Sequence, residues 1–314
     1  MGQSPVVLVM GPTAVGKSAV ALTLAERLGG EVVSVDSAQV YRGLDIGTAK
    51  PSPATRARCP HHLIDIRDPA TPYSAAEFVA DARAAIDAIR QRGRVPILAG
   101  GTVLYFEALQ YGLSPMPGAD QRVRAELAAE EAAHGVHALH RRLQRQDPET
   151  AERLHPNDSQ RIQRALEVQR LTGRPMSALQ REPGVPGLAE VPVKLILEPP
   201  SRPWLHERIE RRYRAMLAAG LVGEVAALHR RGDLGVELPA IRAVGYRQGW
   251  LYLEGAWDHP TMIRRALRAT RQFAKRQLTG LRRHADGERI PAGDGPEAAE
   301  LAVRHVAERA CRVW

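Results

Sequence analysis

The chain has 314 residues, 44% of them hydrophobic, enough for one large domain or a domain with an insert. Lysine and arginine outnumber aspartate and glutamate by 44 to 35, and the net charge of +9 points to an anionic partner larger than a metabolite. Two distant cysteines, Cys59 and Cys311, fit a reducing compartment, and no signal peptide or membrane span is visible, so the expectation is a cytoplasmic protein with no membrane association.

Val6–Met10 is an apolar run of the kind found in buried parallel strands, and it leads directly into Gly11-Pro12-Thr13-Ala14-Val15-Gly16-Lys17-Ser18. That octet matches G-x-x-x-x-G-K-[ST], and the following AVALTLAERL has helical spacing closed by Gly29-Gly30. In a strand–loop–helix setting this motif binds polyphosphate. Its glycines let successive N–H groups turn inward, and the helix N-terminus adds positive potential. Lys17 supplies a full charge to the outer phosphates, and the Ser18 hydroxyl is a ligand for Mg²⁺. The motif leaves the identity of the polyphosphate open.

Glu31–Val35 reads as a second strand ending at Asp36. Ligands of open α/β sheets sit beyond the carboxyl ends of the strands, so Asp36 either caps a turn or faces the phosphate loop, and its placement favours the second role. Tyr41–Pro51 is polar and glycine-rich, with Arg42 and Lys50, and reads either as a ligand-ordered loop or as a solvated connection. The pair His61-His62 sits in a strand-like stretch where neighbours point to opposite faces, which argues against a metal site. Ser74 and Glu77 form a capping-box pattern before a long helix that Gly93 closes. Val95–Ala99 is the next strand, followed by Gly100-Gly101-Thr102. Many P-loop enzymes have an acidic metal ligand at that strand end, whereas here Thr102 stands ready to bond a phosphate or leaving group, or to cap the next helix.

Pro115-Met116-Pro117-Gly118 marks a boundary. The charged helical patterns 120–134, 136–146 and 159–172 follow, so residues 115–190 read as a helical insert between 1–114 and 191–314, which together form the core. Arg124, Arg161 and Arg164 in the insert are either anion contacts or members of a solvated face. Val193–Glu198 is a further strand. Arg264–Arg283 carries eight lysines and arginines and no acid, with Arg264, Arg268, Arg271 and Lys275 on one face, which points to a phosphate-rich partner. An aromatic content of 4% argues against a base-stacking platform. Ile241–Arg247 adds two arginines around Gly245-Tyr246. The tail from Asp286 to Trp314 reads as a loop and one short helix.

Taken together, GPTAVGKS, DSAQVYRGLDIGTAKP, HHLIDIRDP, AGGTVLYF, HPNDSQRIQRALEV, IRAVGYRQ and ATRQFAKRQ resemble, in order, the tRNA dimethylallyltransferases. The resemblance implies an α/β fold: a P-loop-kinase-like parallel sheet core, a helical insertion domain and a basic helical C-terminal region. It implies Mg²⁺ and transfer of a dimethylallyl group from dimethylallyl diphosphate to the exocyclic N6 amine of the adenosine 3′-adjacent to the tRNA anticodon. Asp36 would be the proton acceptor, with Lys17 and Thr102 completing the catalytic set. The implied tRNA-facing positions are Asp36, Ser37, Ala38, Gln39, Thr102, Arg124, Gln160, Arg161, Ile162, Gln163, Arg164, Arg242, Ala243, Val244, Gly245, Tyr246 and Arg247. One departure is Gly280, where the family usually has tryptophan. A monomer is expected. The rival reading is a small-molecule or nucleoside kinase that uses the same loop for ATP.

Overall fold

Val7–Met10 (β1) is apolar and buried throughout, and in the computed structural model, which describes residues 4–313, it is an inner strand of a six-stranded parallel sheet. The chain continues through α1 (Lys17–Leu28), β2 (Gly30–Val35), α2 (Pro53–Arg58), β3 (His61–His62), α3 (Ala75–Gln91), β4 (Val95–Gly100) and α4 (Val103–Tyr111). Next come α5 (Gln121–His134), α6 (Val136–Gln146), α7 (Pro148–Arg153), α8 (Ser159–Thr172) and α9 (Met176–Gln180). The chain then returns to the sheet with β5 (Val193–Glu198), followed by α10 (Arg202–Ala218), α11 (Leu221–His229), α12 (Tyr246–Leu253), α13 (His259–Leu281), β6 (Glu288–Pro291) and α14 (Glu297–Val313).

The strand order is β3-β2-β4-β1-β5-β6, and each neighbouring pair is parallel. Gly100 lies opposite Met10 on one side and Val35 on the other, so β1, β2 and β4 end level. The residues after them, Gly11, Asp36 and Gly101-Thr102, therefore emerge along one edge, where open α/β sheets bind ligands.

Local sequence accounts for most element ends. Helix α1 buries Val20, Ala21, Leu24 and Ala25 at helical spacing, and Gly29 (φ 62°) stops it by donating its N–H to Ala25 O. Both halves of the Ser74/Glu77 capping box are formed at the start of α3. The strand suggested around HHLIDI shrinks to His61–His62, because Leu63 (φ 61°) and Asp65 (φ 59°) take left-handed conformations. The tail differs most from expectation. It supplies β6, which pairs with β5, and the 17-residue α14, whose Ala298, Ala302 and Val306 join the core that α1 forms with β1 and β5. The strand β6 reads as loop because its burial is completed only against β5, and the helix read in the tail is longer than expected.

The chain divides into two compact units, Met1–Glu107 with Ala189–Trp314, and Ala108–Leu188. The second unit has its own core of Val123, Leu127, Leu139, Leu143, Ala151, Ile162, Ala165 and Leu166. At its centre Glu167, 1% exposed, accepts hydrogen bonds from Arg124 Nε (2.8 Å), Arg164 Nη1 (2.7 Å) and Asp120 N (2.9 Å). Burial alone would raise its pKa, and the bonds from both arginines outweigh that and hold the carboxyl below its ordinary value.

Candidate active site

The loop between β1 and α1 is shaped for an anion. Gly16 (φ 109°) and Ala14 (φ 65°) occupy left-handed conformations, the backbone alternation that gathers successive N–H groups into a concave nest. A cavity of about 350 Å³ lies against it, lined by Gly16, Lys17 and Ser18 on one side and by Arg208, Arg211 and Arg212 of α10 on the other. Lys17 Nζ donates to Pro12 O (2.7 Å), and Arg208 Nε to Ala14 O (2.9 Å). Arg212 stands 3.5 Å from Thr13 Oγ1 and 3.4 Å from the Thr48 carbonyl. Among the described residues, neither Lys17 nor Arg212 forms an ion pair with a carboxylate.

The electrostatics follow from that crowding. Desolvation, then repulsion from Arg212, pulls the Lys17 pKa down to about 7, against an opposing attraction from Asp36. Desolvation also lowers the Arg212 pKa, and Asp36 again opposes it. Two cations held close together in a partly desolvated pocket favour a multiply charged anion between them.

The arginines of α10 had no part in the sequence reading. A signal existed: Arg208, Arg211 and Arg212 share one helical face in RIERRYR. It was masked by the interleaved acids, which form ordinary surface pairs, Arg211–Glu207 (2.9 Å) and Arg214–Glu210 (2.8 Å).

At the neighbouring strand end, Asp36 is half-buried. Its Oδ1 accepts from Ala38 N (2.8 Å) and Gln39 N (3.3 Å), so it caps its turn and also faces the two cations of the cavity. Thr102 Oγ1 accepts from Ser37 N (3.2 Å), joining the β4 loop to the β2 loop. Gln39 accepts from Ser34 Oγ (2.8 Å) and donates to Thr48 O (3.2 Å). Gln277 of α13, 5% exposed, joins the β1 loop to the β4 loop. Its Oε1 accepts from Thr13 N (2.8 Å), and its Nε2 donates to Gly101 O (2.8 Å). Replacing it by leucine keeps the volume and leaves both backbone groups without their partner. Gln277→Leu is therefore expected to destabilise the fold by about 1–3 kcal/mol, read as a lowered midpoint in urea unfolding.

The positions expected to face RNA separate into two sets. Ser37, Gln160, Arg161, Arg242 and Arg247 are exposed. Ala38, Gln39, Thr102, Gln163, Ala243 and Val244 are partly so, and Gln163 Nε2 donates to Glu131 (2.6 Å). Ile162 and Tyr246 are fully buried, and Gly245 is buried beside Tyr246. Ile162 belongs to the core of the second unit, and the Tyr246 hydroxyl donates to Glu224 (2.5 Å). Arg124 and Arg164 both pair with the buried Glu167.

On α13, Arg264, Arg268 and Lys275 are exposed, and none has a carboxylate partner among the described residues. Arg271, expected on the same face, is half-buried and pairs with Glu210 (3.4 Å). Gly280 faces Val103 of α4, where a Cβ would come within 3.1 Å of the valine side chain. A side chain at this position would require Val103 to give by a few tenths of an ångström. Lys50 is a structural residue with 2% side-chain exposure, bonded to Tyr41 O (2.6 Å), Asp45 (2.7 Å) and Asp65 (2.5 Å). His61 bonds Cys59 O (2.7 Å) and His62 bonds Glu31 (2.7 Å); among the described residues no cluster of three or more His, Cys, Asp or Glu is arranged to hold a metal.

Residues 39–284 match the family model described as IPP transferase. The chain belongs to the IPP transferase family. A tRNA dimethylallyltransferase of Halorhodospira halophila is 77% identical over 295 residues, covering 94% of this chain and 95% of that one. Among solved structures, the full-length tRNA isopentenylpyrophosphate transferase of Bacillus halodurans superposes with a TM-score of 0.70 at 36% identity, covering 99% of both chains. A eukaryotic dimethylallyltransferase, described as acting on tRNA, gives a TM-score of 0.80 at 25% identity, covering 98% of this chain and 80% of that one. The IPP transferase match starts at residue 39, so the phosphate loop and Asp36 lie outside it and stand on their own geometry.

Proposed function

We propose that this member of the family is a tRNA dimethylallyltransferase that takes dimethylallyl diphosphate as donor and the N6 amine of the adenosine 3′-adjacent to the anticodon as acceptor. The observation that carries this reading is the alignment of three strand ends: an anion loop after β1, a carboxylate after β2 and a hydroxyl after β4. Arginines above a phosphate loop suit a kinase equally well. Against the kinase stand Gly100-Gly101-Thr102, which puts no acidic metal ligand at the end of β4, and the family to which the chain belongs.

In this reading the diphosphate lies in the cavity between the loop and α10. Lys17, Arg212 and the loop amides take up the charge that develops as the bond between the allylic carbon and the diphosphate oxygen breaks and its electron pair leaves with the diphosphate. The adenine amine is a weak nucleophile because its lone pair is delocalised into the ring. As N6 forms its bond to the allylic carbon it loses a proton, which Asp36 accepts. Oδ1 is already held by two backbone N–H groups, so Oδ2 is the oxygen free for that proton. Thr102 keeps the Asp36 turn in register through Ser37, and its hydroxyl hydrogen is left to donate to the leaving group. The target base has to leave its stack to reach this edge.

The donor set suits Mg²⁺. The exposed Ser18 hydroxyl would offer one oxygen ligand of the hard kind this ion prefers, beside oxygens of the diphosphate. When bound there, the ion would neutralise charge on the leaving diphosphate. Exposed arginines and lysines without acidic partners among the described residues, Arg242, Arg247, Arg264, Arg268 and Lys275, are the phosphate contacts for the RNA. Five such contacts predict that tRNA affinity falls by about 10²–10³-fold between 50 and 200 mM salt. A filter-binding series checks the slope, and an affinity indifferent to salt would remove α13 from the interface.

The deciding assay combines the purified chain, unmodified tRNA, labelled dimethylallyl diphosphate and Mg²⁺, with ATP in a parallel reaction. Label in tRNA without ATP is the expected result. ATP consumption with no label in tRNA would replace this reading with the kinase.

A further inference from the structure

Glu224, in the first turn of α11, has no place in the mechanism above, yet more donors converge on it than on the carboxylate of Asp36. Its Oε2 accepts from Asp45 N (3.0 Å) and Ile46 N (2.8 Å), and its Oε1 from Gly47 N (3.1 Å) and the Tyr246 hydroxyl (2.5 Å). Three consecutive backbone N–H groups form a nest, an anion-binding concavity that here holds the chain's own carboxylate. The clamp is tight. A Cβ on Gly47 would lie 2.5 Å from the Tyr246 ring, and Lys50 holds the same loop from its other end through Asp45 and Tyr41 O.

The next residue, Thr48, connects this clamp to the cavity. Its carbonyl accepts from Gln39 Nε2 (3.2 Å) and from Arg212 Nη2 (3.4 Å). No carboxylate pairs with Arg212 among the described residues, so the Thr48 carbonyl and the Thr13 hydroxyl are the contacts that set where its guanidinium points. Leaving the Asp45–Gly47 amides without their acceptor would release Thr48 and the side chains that hang from it.

We propose that Glu224 is a positioning residue for the anion cavity. By clamping Asp45–Gly47 against Tyr246 it sets the Thr48 carbonyl, and through it the reach of Arg212 toward the diphosphate. This rests on the reading of the loop cavity as the diphosphate site. Glu224 itself touches no reactant.

The test is a double-mutant cycle read by binding of inorganic diphosphate to the full chain, with Mg²⁺ present, using isothermal calorimetry. Glu224→Gln keeps size and removes the charge that two pairs of donors share. It is expected to weaken diphosphate binding about tenfold, the scale of one charge-assisted hydrogen bond, and Arg212→Ala by at least as much. Because both act through one guanidinium, the double variant should bind within about twofold of Arg212→Ala alone, and tRNA affinity should stay at the wild-type value. Tyr246→Phe removes one of the four donors and serves as the milder partner if Glu224→Gln fails to fold; its effect should likewise vanish in the Arg212→Ala background. Wild-type binding by Glu224→Gln, effects that multiply in the double variant, or an equal loss of tRNA binding would each overturn the inference, as would a wild-type chain that does not bind diphosphate. A wild-type chain that binds diphosphate and transfers no prenyl group would refute the function proposed above while the cycle still decides the role of Glu224.

Discussion

Asp36→Asn is expected to lower the single-turnover rate of prenyl transfer by about 10²–10⁴-fold, the usual contribution of a positioned proton acceptor. Asparagine retains the side-chain oxygen that accepts from Ala38 N and Gln39 N, so the turn keeps its shape. Only the charge and basicity are lost. The same charge attracts Lys17 and Arg212, and it repels an incoming diphosphate. Diphosphate should therefore bind the variant no more weakly than the wild type, and tRNA within a few fold. Quench-flow transfer with saturating substrates, beside separate binding titrations, distinguishes the two effects. A rate within tenfold of wild type would exclude Asp36 as the proton acceptor, and a parallel loss of tRNA affinity would make it a recognition residue.

The second large effect is expected at Lys17, where Lys17→Met should lower transfer by about 10²–10³-fold through lost stabilisation of the leaving group. The pH dependence is as informative as the rate. Desolvation and Arg212 bring the free Lys17 down to about 7, so near neutral pH a large fraction is already neutral. A bound diphosphate favours the charged ammonium and raises that pKa, so binding above pH 7 takes up a proton. Linkage then requires affinity to weaken as pH rises from 7, by up to about tenfold per unit for one proton, until the pKa of the complex is reached. Calorimetry at pH 8 in two buffers of different ionisation enthalpy should register proton uptake in the wild type and none in Lys17→Met. Equal dependence in both would assign the proton elsewhere.

Much of this site was legible in the sequence because its parts are local. A phosphate loop is one strand end, one turn and one helix start, all within Val7–Leu28, and its N–H groups need no distant partner to form the nest. Asp36 and Thr102 were legible for a related reason, since an apolar run that ends abruptly marks a strand end whatever the strand's neighbours. Three of the five helices α5–α9 were read from the sequence, with caps at Asp120, Asp158 and Gly173 in place, while the short α7 and α9 were not.

What escaped depends on residues far apart in the chain. Whether an arginine is a ligand or a structural cation is decided by the carboxylate opposite it. Arg124 and Arg164 read as either anion contacts or a solvated face and pair with Glu167, whereas Arg212 lay unnoticed among acids and carries no carboxylate partner among the described residues. Tyr246 stood between two arginines and turned inward to Glu224. The strand β6 has little apolar pattern of its own and pairs with the edge of β5, and α14, longer than the short helix read in the tail, packs on the face of α1.

By itself, then, the sequence determined a glycine-lysine loop between a strand and a helix, a carboxylate at the next strand end, a run of helices between sheet strands and a basic helix, because each is written in contiguous residues with a fixed period or turn. Only the tertiary structure decided which cations remain available to an anion, that α10 closes the cavity and that Gln277 and Glu224 join its loops. Those outcomes depend on charges and amides brought together across tens to hundreds of residues, where no local pattern constrains the pairing.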